Sequence, residues 1–224
     1  MCDEPYKTFI GYLKYRFASW TKPGVMVQST MAPSYKHLVP VKQPVVDAAV
    51  LILFFPIQNQ PYFVLIKRTP DELSPHGGQV SLPGGKYETS DRDYLCTALR
   101  ETSEEIGITP DLTEYLGSLS SIIIPVSGYR VHPFVAYLNS QPQWSVNNGE
   151  VSYVIEVPLA ELMDSKNVCQ EHIIYEGEEH TIPYFRLAGE KVWGATAMIL
   201  AELKALAENS MYSTEPKNDN TAPG

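Results

Sequence analysis

An apolar run from Val45 to Phe55, VVDAAVLILFF, is broken only by Asp47 and is rich in β-branched residues. It is shorter than the roughly 20 residues that a membrane-spanning helix needs, and its composition is typical of a buried β-strand. The turn PIQNQP follows, and the next segment, Tyr62–Arg68 (YFVLIKR), has the composition of a second strand. Together the two segments predict a buried β-hairpin.

The other segments predict an irregular order of strands and helices. Near the N-terminus, YKTFIGYLKYRFASW predicts a short helix that ends before Pro23 and Gly24. Further on we predict strands over 115–125 and 129–138, a strand passing into a short helix over 151–162, a second hairpin formed by 172–177 with 180–187, and a helix over 193–208. Because strands and helices do not alternate regularly, the pattern favours an α/β (α+β) sandwich with a mixed sheet over a doubly wound fold.

The chain has 224 residues and a formal net charge of −9. This length suits one domain with additions. We place the domain at residues 41–208, preceded by an N-terminal extension over 1–40 of unknown role and followed by a disordered tail over 209–224. The negative charge opposes binding of long nucleic acids, which depend on many Lys and Arg contacts to phosphates. Without an apolar stretch of membrane-spanning length or a secretory signal, we expect a cytoplasmic protein without a membrane partner, either a monomer or a homodimer.

Turn-forming residues are concentrated between Thr69 and Asp91, where three prolines and four glycines occur. That stretch predicts an ordered functional loop or a disordered one. A helix is predicted directly after it, from about Asp91 to Ile106, with Ser90 as N-cap and Gly107 just past the end. Its last turns carry the sequence RETSEEIG, which begins at Arg100.

Three glutamates of this helix, Glu101, Glu104 and Glu105, lie on an arc of about 100° beside the stripe that faces the core. Like charges at this spacing destabilise a helix unless water or a bound cation offsets them. An isolated acidic triplet is ordinarily a solvated helix face, but carboxylates beside a buried stripe are partly desolvated, which favours a dication. Oxygen ligands of this kind suit Mg²⁺ or Mn²⁺.

The loop before the helix contains PGGK, Pro83–Lys86. Its glycines allow the backbone to approach a phosphate or a metal closely, although a GG pair alone more often marks a tight turn. An acidic helix that merely binds Ca²⁺ or a basic partner would leave this glycine pair without a role.

These residues together resemble the signature of the Nudix hydrolases: G, five residues, E, seven residues, then R-E-U-x-E-E-x-G-U, with U apolar. RETSEEIGI, Arg100–Ile108, matches the second half, with Thr102 at the first U position. In the first half, Asp91 stands for Glu at the right distance from Gly85, and eight residues rather than seven separate it from Arg100. A one-residue insertion at this point resembles the signature of the branch of the family that acts on coenzyme A.

That branch carries an upstream pattern, approximately L-L-T-x-R-[SA], then R, then G-x-x-x-F-P-G-G. VLIKRT, which ends at Thr69, and GQVSLPGG, which ends at Gly85, resemble it, with Ser74 in place of the second Arg and Leu82 in place of Phe. The later segments 128–138, 150–162 and 192–200 also look like this branch, so the resemblance covers roughly residues 45 to 205.

The resemblance implies a Nudix α/β/α sandwich and roles for individual residues. Glu101, Glu104 and Glu105 would hold Mg²⁺ or Mn²⁺ with a backbone carbonyl near Gly84 or Gly85. Arg100 would pair with Asp91 and orient the helix. Glu150 would be the first candidate for the general base, and Glu105 the second. Lys86, Arg68 and His76 would contact the substrate phosphates. Trp193 could stack on adenine, but burial in the core is the expected place for it.

The resemblance also implies hydrolysis of a nucleoside diphosphate derivative, with coenzyme A or acyl-coenzyme A split into 4′-phosphopantetheine and adenosine 3′,5′-bisphosphate. The alternative substrate is another derivative of this class, such as a dinucleotide, a nucleotide sugar or an oxidised nucleotide. A Nudix-fold binding or regulatory module without turnover is a third interpretation, but such a module would be expected to lose the glutamate pair that this chain retains.

Overall fold

The computed structural model describes residues 4–19, 22, 24–70 and 76–208. Its helices are α1 Pro5–Ser19, α2 Val25–Gln28, α3 Tyr94–Ile106, α4 Leu159–Met163 and α5 Gly194–Ala207. Its strands are β1 Val46–Ile57, β2 Gln60–Arg68, β3 Val80–Ser81, β4 Gly84–Lys86, β5 Glu114–Ser118, β6 Ile122–Ile124, β7 Tyr129–Tyr137, β8 Val151–Pro158, β9 Val168–Tyr175, β10 Glu178–Leu187 and β11 Glu190–Trp193. The predicted tail over 209–224 and Ser74 lie outside the described residues.

The predicted β1–β2 hairpin is confirmed, and it forms the centre of an eight-stranded sheet. Gln58 and Asn59 both have positive φ, as a two-residue hairpin turn requires, and Ile57 pairs with Gln60. The main path through the sheet is β3-β2-β1-β7-β5, with β4 on β1, β6 on β7 and β8 on β2. Because β1 and β7 are parallel and the other pairs are antiparallel, the sheet is mixed, as predicted.

Strand β1 is apolar from Ala48 onward because both of its faces are buried there. Ile52 and Phe54 belong to the core cluster on one face, which also contains residues of α1 and α5. Leu51, Leu53 and Phe55 belong to the cluster on the other face, which is covered by α3. The alternation of side chains along a strand therefore places helices on both sides of the sheet. The domain is an α/β/α sandwich, and the predicted fold class is confirmed.

A second sheet of three strands, in the order β11-β10-β9, contains the other predicted hairpin. At the N-terminus, α1 buries Phe9 and Leu13 in the same cluster as α5, so this helix is part of the core. The limits of the predicted extension over residues 1–40 stay a prediction.

Helix α3 begins later than the sequence predicts. Asp93, in extended conformation, is the N-cap, and its Oδ1 accepts a hydrogen bond from the backbone N–H of Cys96 at 2.8 Å. The predicted cap Ser90 lies before the helix, because the carboxylate of Asp91 accepts a hydrogen bond from the backbone N–H of Glu88 and holds this stretch in a turn. The predicted end is confirmed, with Gly107 in left-handed conformation. None of the described helices has the length and apolarity of a membrane span.

Candidate active site

The predicted pair between Arg100 and Asp91 anchors α3 to the loop before it. Arg100 donates from Nε to Asp91 Oδ1 at 2.9 Å and from Nη2 to Oδ2 at 3.0 Å, and Thr97 donates to the same carboxylate. This guanidinium holds the pKa of the buried Asp91 carboxyl well below its usual range. Arg100 also donates to Glu101 and Glu104, so one side chain connects the loop to the acidic face.

The three glutamates of α3 differ sharply in burial. The side chain of Glu105 is 1% exposed, that of Glu101 is 15% exposed and that of Glu104 is 55% exposed. Burial raises the pKa of Glu105 to about 7 and also raises the pKa of Glu101. The charged forms of Glu101 and Glu105 are therefore destabilised, because water does not fully solvate these two carboxylates.

The glycine turn lies against these carboxylates. The backbone N–H of Gly84 donates to Glu105 Oε2 at 2.8 Å, and a Cβ added to Gly85 would stand 2.5 Å from Glu101 Oε2. Gly84 has a φ of +144°, and a Cβ there would lie 2.6 Å from the Cα of Val50 in the paired strand. Both positions require glycine because another group comes too close for a Cβ: the neighbouring strand at Gly84 and a carboxylate at Gly85.

A cavity of about 600 Å³ opens in front of the turn. It brings together most of the residues that the sequence singles out: Arg68, His76, Gly84, Gly85, Lys86, Glu101, Glu105 and Glu150. Arg68 donates to Glu105 Oε1 at 3.3 Å, while Glu150 is exposed at the cavity wall. Burial lowers the pKa of the half-buried His76. Arg100 and Glu104 are not among the lining residues and contact each other beside the cavity.

Part of the cavity wall comes from regions to which the sequence assigns no role. Pro33, Tyr35 and Lys36 line it from the N-terminal region, and Met198 lines it from α5. Trp193, expected in the core, is half-buried in the same wall. Their only signal in the sequence is the abundance of Tyr and Pro before residue 40, which does not indicate contact with a loop some 50 residues further on.

The donor set of the site fits a hard dication. Within the described ranges no three Asp, Glu, His or Cys side chains are already grouped to hold a metal ion. Glu101 and Glu104 accept hydrogen bonds from Arg100, and Glu105 accepts one from Gly84. Mg²⁺ and Mn²⁺ keep several waters and need only one or two carboxylates. Glu101 and Glu105, desolvated on one cavity wall, meet that requirement.

Comparison with known families assigns the chain to a class of hydrolases. The sequence model of the NUDIX domain matches residues 46–176. An uncharacterised Nudix hydrolase, NudL, of Salmonella paratyphi B is 34% identical over 158 residues, which is 70% of this chain and 80% of that protein. The chain therefore belongs to the Nudix hydrolase family, which acts on diphosphate bonds with the help of divalent metal ions.

Two further comparisons, one with a protein sequence and one with a solved structure, differ in how far the match extends. Nudix hydrolase 15, mitochondrial, of Arabidopsis thaliana is 37% identical over 159 residues, and the chain spans about half the length of that protein, 55%. The solved structure of the MutT protein from Methanosarcina mazei Go1 has a TM-score of 0.48 at 16% identity over 74% of this chain and 96% of that chain.

Proposed function

We propose that the protein hydrolyses the diphosphate bond of coenzyme A or acyl-coenzyme A, giving 4′-phosphopantetheine and adenosine 3′,5′-bisphosphate. The observation that carries the hydrolytic part is the pair of desolvated carboxylates, Glu101 and Glu105, against the glycine turn of a large cavity. The preference for coenzyme A rests on the sequence segments that resemble that branch. Leu82, which replaces the Phe of the pattern, is buried and lines the cavity, so an apolar side chain is retained there.

The proposed ligands of Mg²⁺ or Mn²⁺ are Glu101, Glu104 and Glu105, with a backbone carbonyl near Gly84 or Gly85. The bound cation would neutralise the diphosphate and lower the pKa of the attacking water. In this proposal the pair between Arg100 and Asp91 holds α3 so that its acidic face meets the glycine turn.

Glu150 is the first candidate for the general base. It is exposed on the cavity wall, where its carboxylate can reach a water molecule. Glu105 is second because both of its oxygens are already engaged, Oε2 by the Gly84 N–H and Oε1 by Arg68. A pKa near 7 would suit a base, but a carboxylate held by two donors is less free to take a proton.

The proposed phosphate contacts are Lys86, Arg68 and His76, which all line the cavity. Lys86 directly follows the two glycines and is exposed. An acidic protein needs cations beside an anionic substrate, and these side chains would supply them at the carboxylate end.

The function is tested by incubating the protein and Mn²⁺ with coenzyme A, NADH, ADP-ribose and a nucleoside triphosphate in parallel. We expect cleavage of coenzyme A, and a loss of more than about 100-fold in Glu101→Gln and Glu104→Gln, since partners outside a ligand shell alone cost about 10- to 100-fold. Glu178→Gln, an exposed carboxylate on β10, is the matched control.

If another of these compounds is cleaved and coenzyme A is not, the substrate is the alternative, another nucleoside diphosphate derivative. If none of the four compounds is cleaved, the hydrolytic proposal is wrong.

Cytoplasmic localisation is also a proposal, and microscopy of the tagged full-length chain tests it against the mitochondrial location in the name of the Arabidopsis relative.

A further inference from the structure

The cavity has two chemically different walls. The acidic residues that line it within the described part of the chain, Glu101, Glu105 and Glu150, lie on or beside α3 and β8. The opposite wall comes from residues 33–39 and from the start of α5, which belongs to the helical layer on the other face of the sheet. That wall is mainly apolar and aromatic, and among the residues that the structure describes it contains one charged side chain, Lys36.

Lys36 is a half-buried cation with a weak partner. Its Nζ lies 3.4 Å from the thioether sulfur of Met198, and none of the ion pairs found between described residues includes it. A thioether is a poor acceptor, so the ammonium is left partly desolvated without an anion. Burial accordingly lowers the pKa of Lys36. An anionic ligand group would remove this cost.

The other cations of the cavity lie at its carboxylate end. Three Lys or Arg residues line it among the described residues: Lys36, Arg68 and Lys86. Arg68 is bonded to Glu105, and Lys86 follows the glycine turn at the carboxylate end. Lys36 is therefore the charged group available to an anion that lies toward α5, where the N-cap Trp193 offers no side-chain acceptor to the first N–H groups of the helix.

We propose that Lys36 binds a phosphate monoester on the nucleoside half of the substrate, away from the diphosphate. This inference rests on the proposed function and deepens it: the cavity selects nucleoside diphosphate derivatives that carry a third phosphate, as coenzyme A does on its ribose. The nucleoside lies between the wall formed by Tyr35 and Trp193 and the glycine turn, and the diphosphate faces Glu101 and Glu105.

Binding of two adenosine nucleotides tests the proposal without turnover. Calorimetry in the presence of Mn²⁺ compares adenosine 3′,5′-bisphosphate with adenosine 5′-monophosphate on the full chain. We expect the wild type to bind the bisphosphate about 10- to 100-fold more tightly, as a charge-assisted contact allows. Lys36→Met should remove that difference and leave binding of the monophosphate within about twofold, and Lys36→Arg should keep part of it.

Lys42→Met is the matched control, because Lys42 lies in the same N-terminal region, is exposed and does not line the cavity. Equal affinity of the wild type for the two nucleotides would overturn the proposal, as would an equal loss for both nucleotides in Lys36→Met. If the binding difference is present and depends on Lys36 while coenzyme A is not cleaved, the phosphate site stands and the proposed function fails.

Discussion

At the scale of single residues, Glu105 is the most unusual group of the site. Its carboxyl is almost fully buried and bonded to Gly84 and Arg68, yet desolvation outweighs both donors and raises its pKa from 4.5 to about 7. In the metal-free protein the proton therefore stabilises the fold below pH 4.5, and this contribution is lost as the pH rises through about 7. A cation bound at the carboxylate would compete with that proton.

We expect the apparent affinity for Mn²⁺ to fall as the pH is lowered below about 7, by up to about tenfold per pH unit, because the metal must displace the proton of Glu105. Calorimetric titrations between about pH 5.5 and 8.5 measure it. In Glu105→Gln the affinity should be weaker overall and nearly independent of pH in this range. An affinity of the wild type that stays constant from pH 5.5 to 7 would contradict the assignment.

Gly85→Ala tests the contact between the glycine turn and the acidic helix. The new Cβ would meet the carboxylate of Glu101, which must move, and a displacement near 1 Å can cost about 100-fold in rate. We expect a loss of about 10- to 100-fold in kcat with a small change in Tm. Gly11→Ala, which introduces a methyl group into open space on α1, is the control and should retain full activity. Unchanged turnover by Gly85→Ala would show that the close approach has no catalytic consequence.

At the scale of elements, α3 is held by a contact that begins before its first turn. Asp91 receives donors from Glu88, Thr97 and Arg100, so the loop and the helix share one buried carboxylate. Because its pKa is held below the usual value of 3.8, Asp91 contributes stability above pH 3.8, and that contribution is lost as the pH falls further.

Asp91→Asn should lower the free energy of unfolding by about 3 kcal/mol at neutral pH, because it leaves Arg100 without its principal partner. Urea unfolding at neutral pH and near pH 2 checks this, since the difference between wild type and variant should shrink as the pH falls below 3.8. Asp111→Asn changes an exposed carboxylate on the surface and should behave as wild type at both pH values. A constant difference between Asp91→Asn and wild type at the two pH values would refute the electrostatic origin of the effect.

At the scale of the whole molecule, the central sheet separates two cores, and α1 belongs to one of them. Phe9 is 1% exposed and meets Phe54 of β1 edge to face at 5.2 Å between ring centroids. The N-terminal region thus contributes to the domain in two ways, through α1 in the core and through residues 33–39 in the cavity wall.

Phe9→Ala should destabilise the whole domain by about 3–5 kcal/mol, because it removes a buried aromatic side chain and leaves a cavity. Tyr15→Ala, on the same helix but 69% exposed, should cost less than about 0.5 kcal/mol. Denaturant unfolding monitored by tryptophan fluorescence compares the two variants. Equal stability of Phe9→Ala and wild type would mean that α1 is dispensable for the domain.

Local patterns in the sequence were sufficient to predict several elements. The β1–β2 hairpin, the end of α3 at Gly107 and the proximity of the glutamates to the glycine turn all depend on short-range periodicity or on a signature of defined spacing. The family and the mixed α/β/α fold followed from the same residues. Such features are encoded within one element or between neighbouring elements, where backbone geometry limits the alternatives.

Contacts between distant segments were decided by the tertiary structure alone. Helical periodicity places Glu101, Glu104 and Glu105 on one arc, but only the approach of β4 buries Glu105 and leaves Glu104 exposed. Helix α3 begins at Tyr94, later than the local pattern predicts, because the carboxylate of Asp91 is held by Glu88 and Arg100 in the turn before it. Likewise, Lys36 and Trp193 line the same cavity as the carboxylates only because distant segments of the chain pack together, and long-range packing of this kind leaves no local pattern in the sequence.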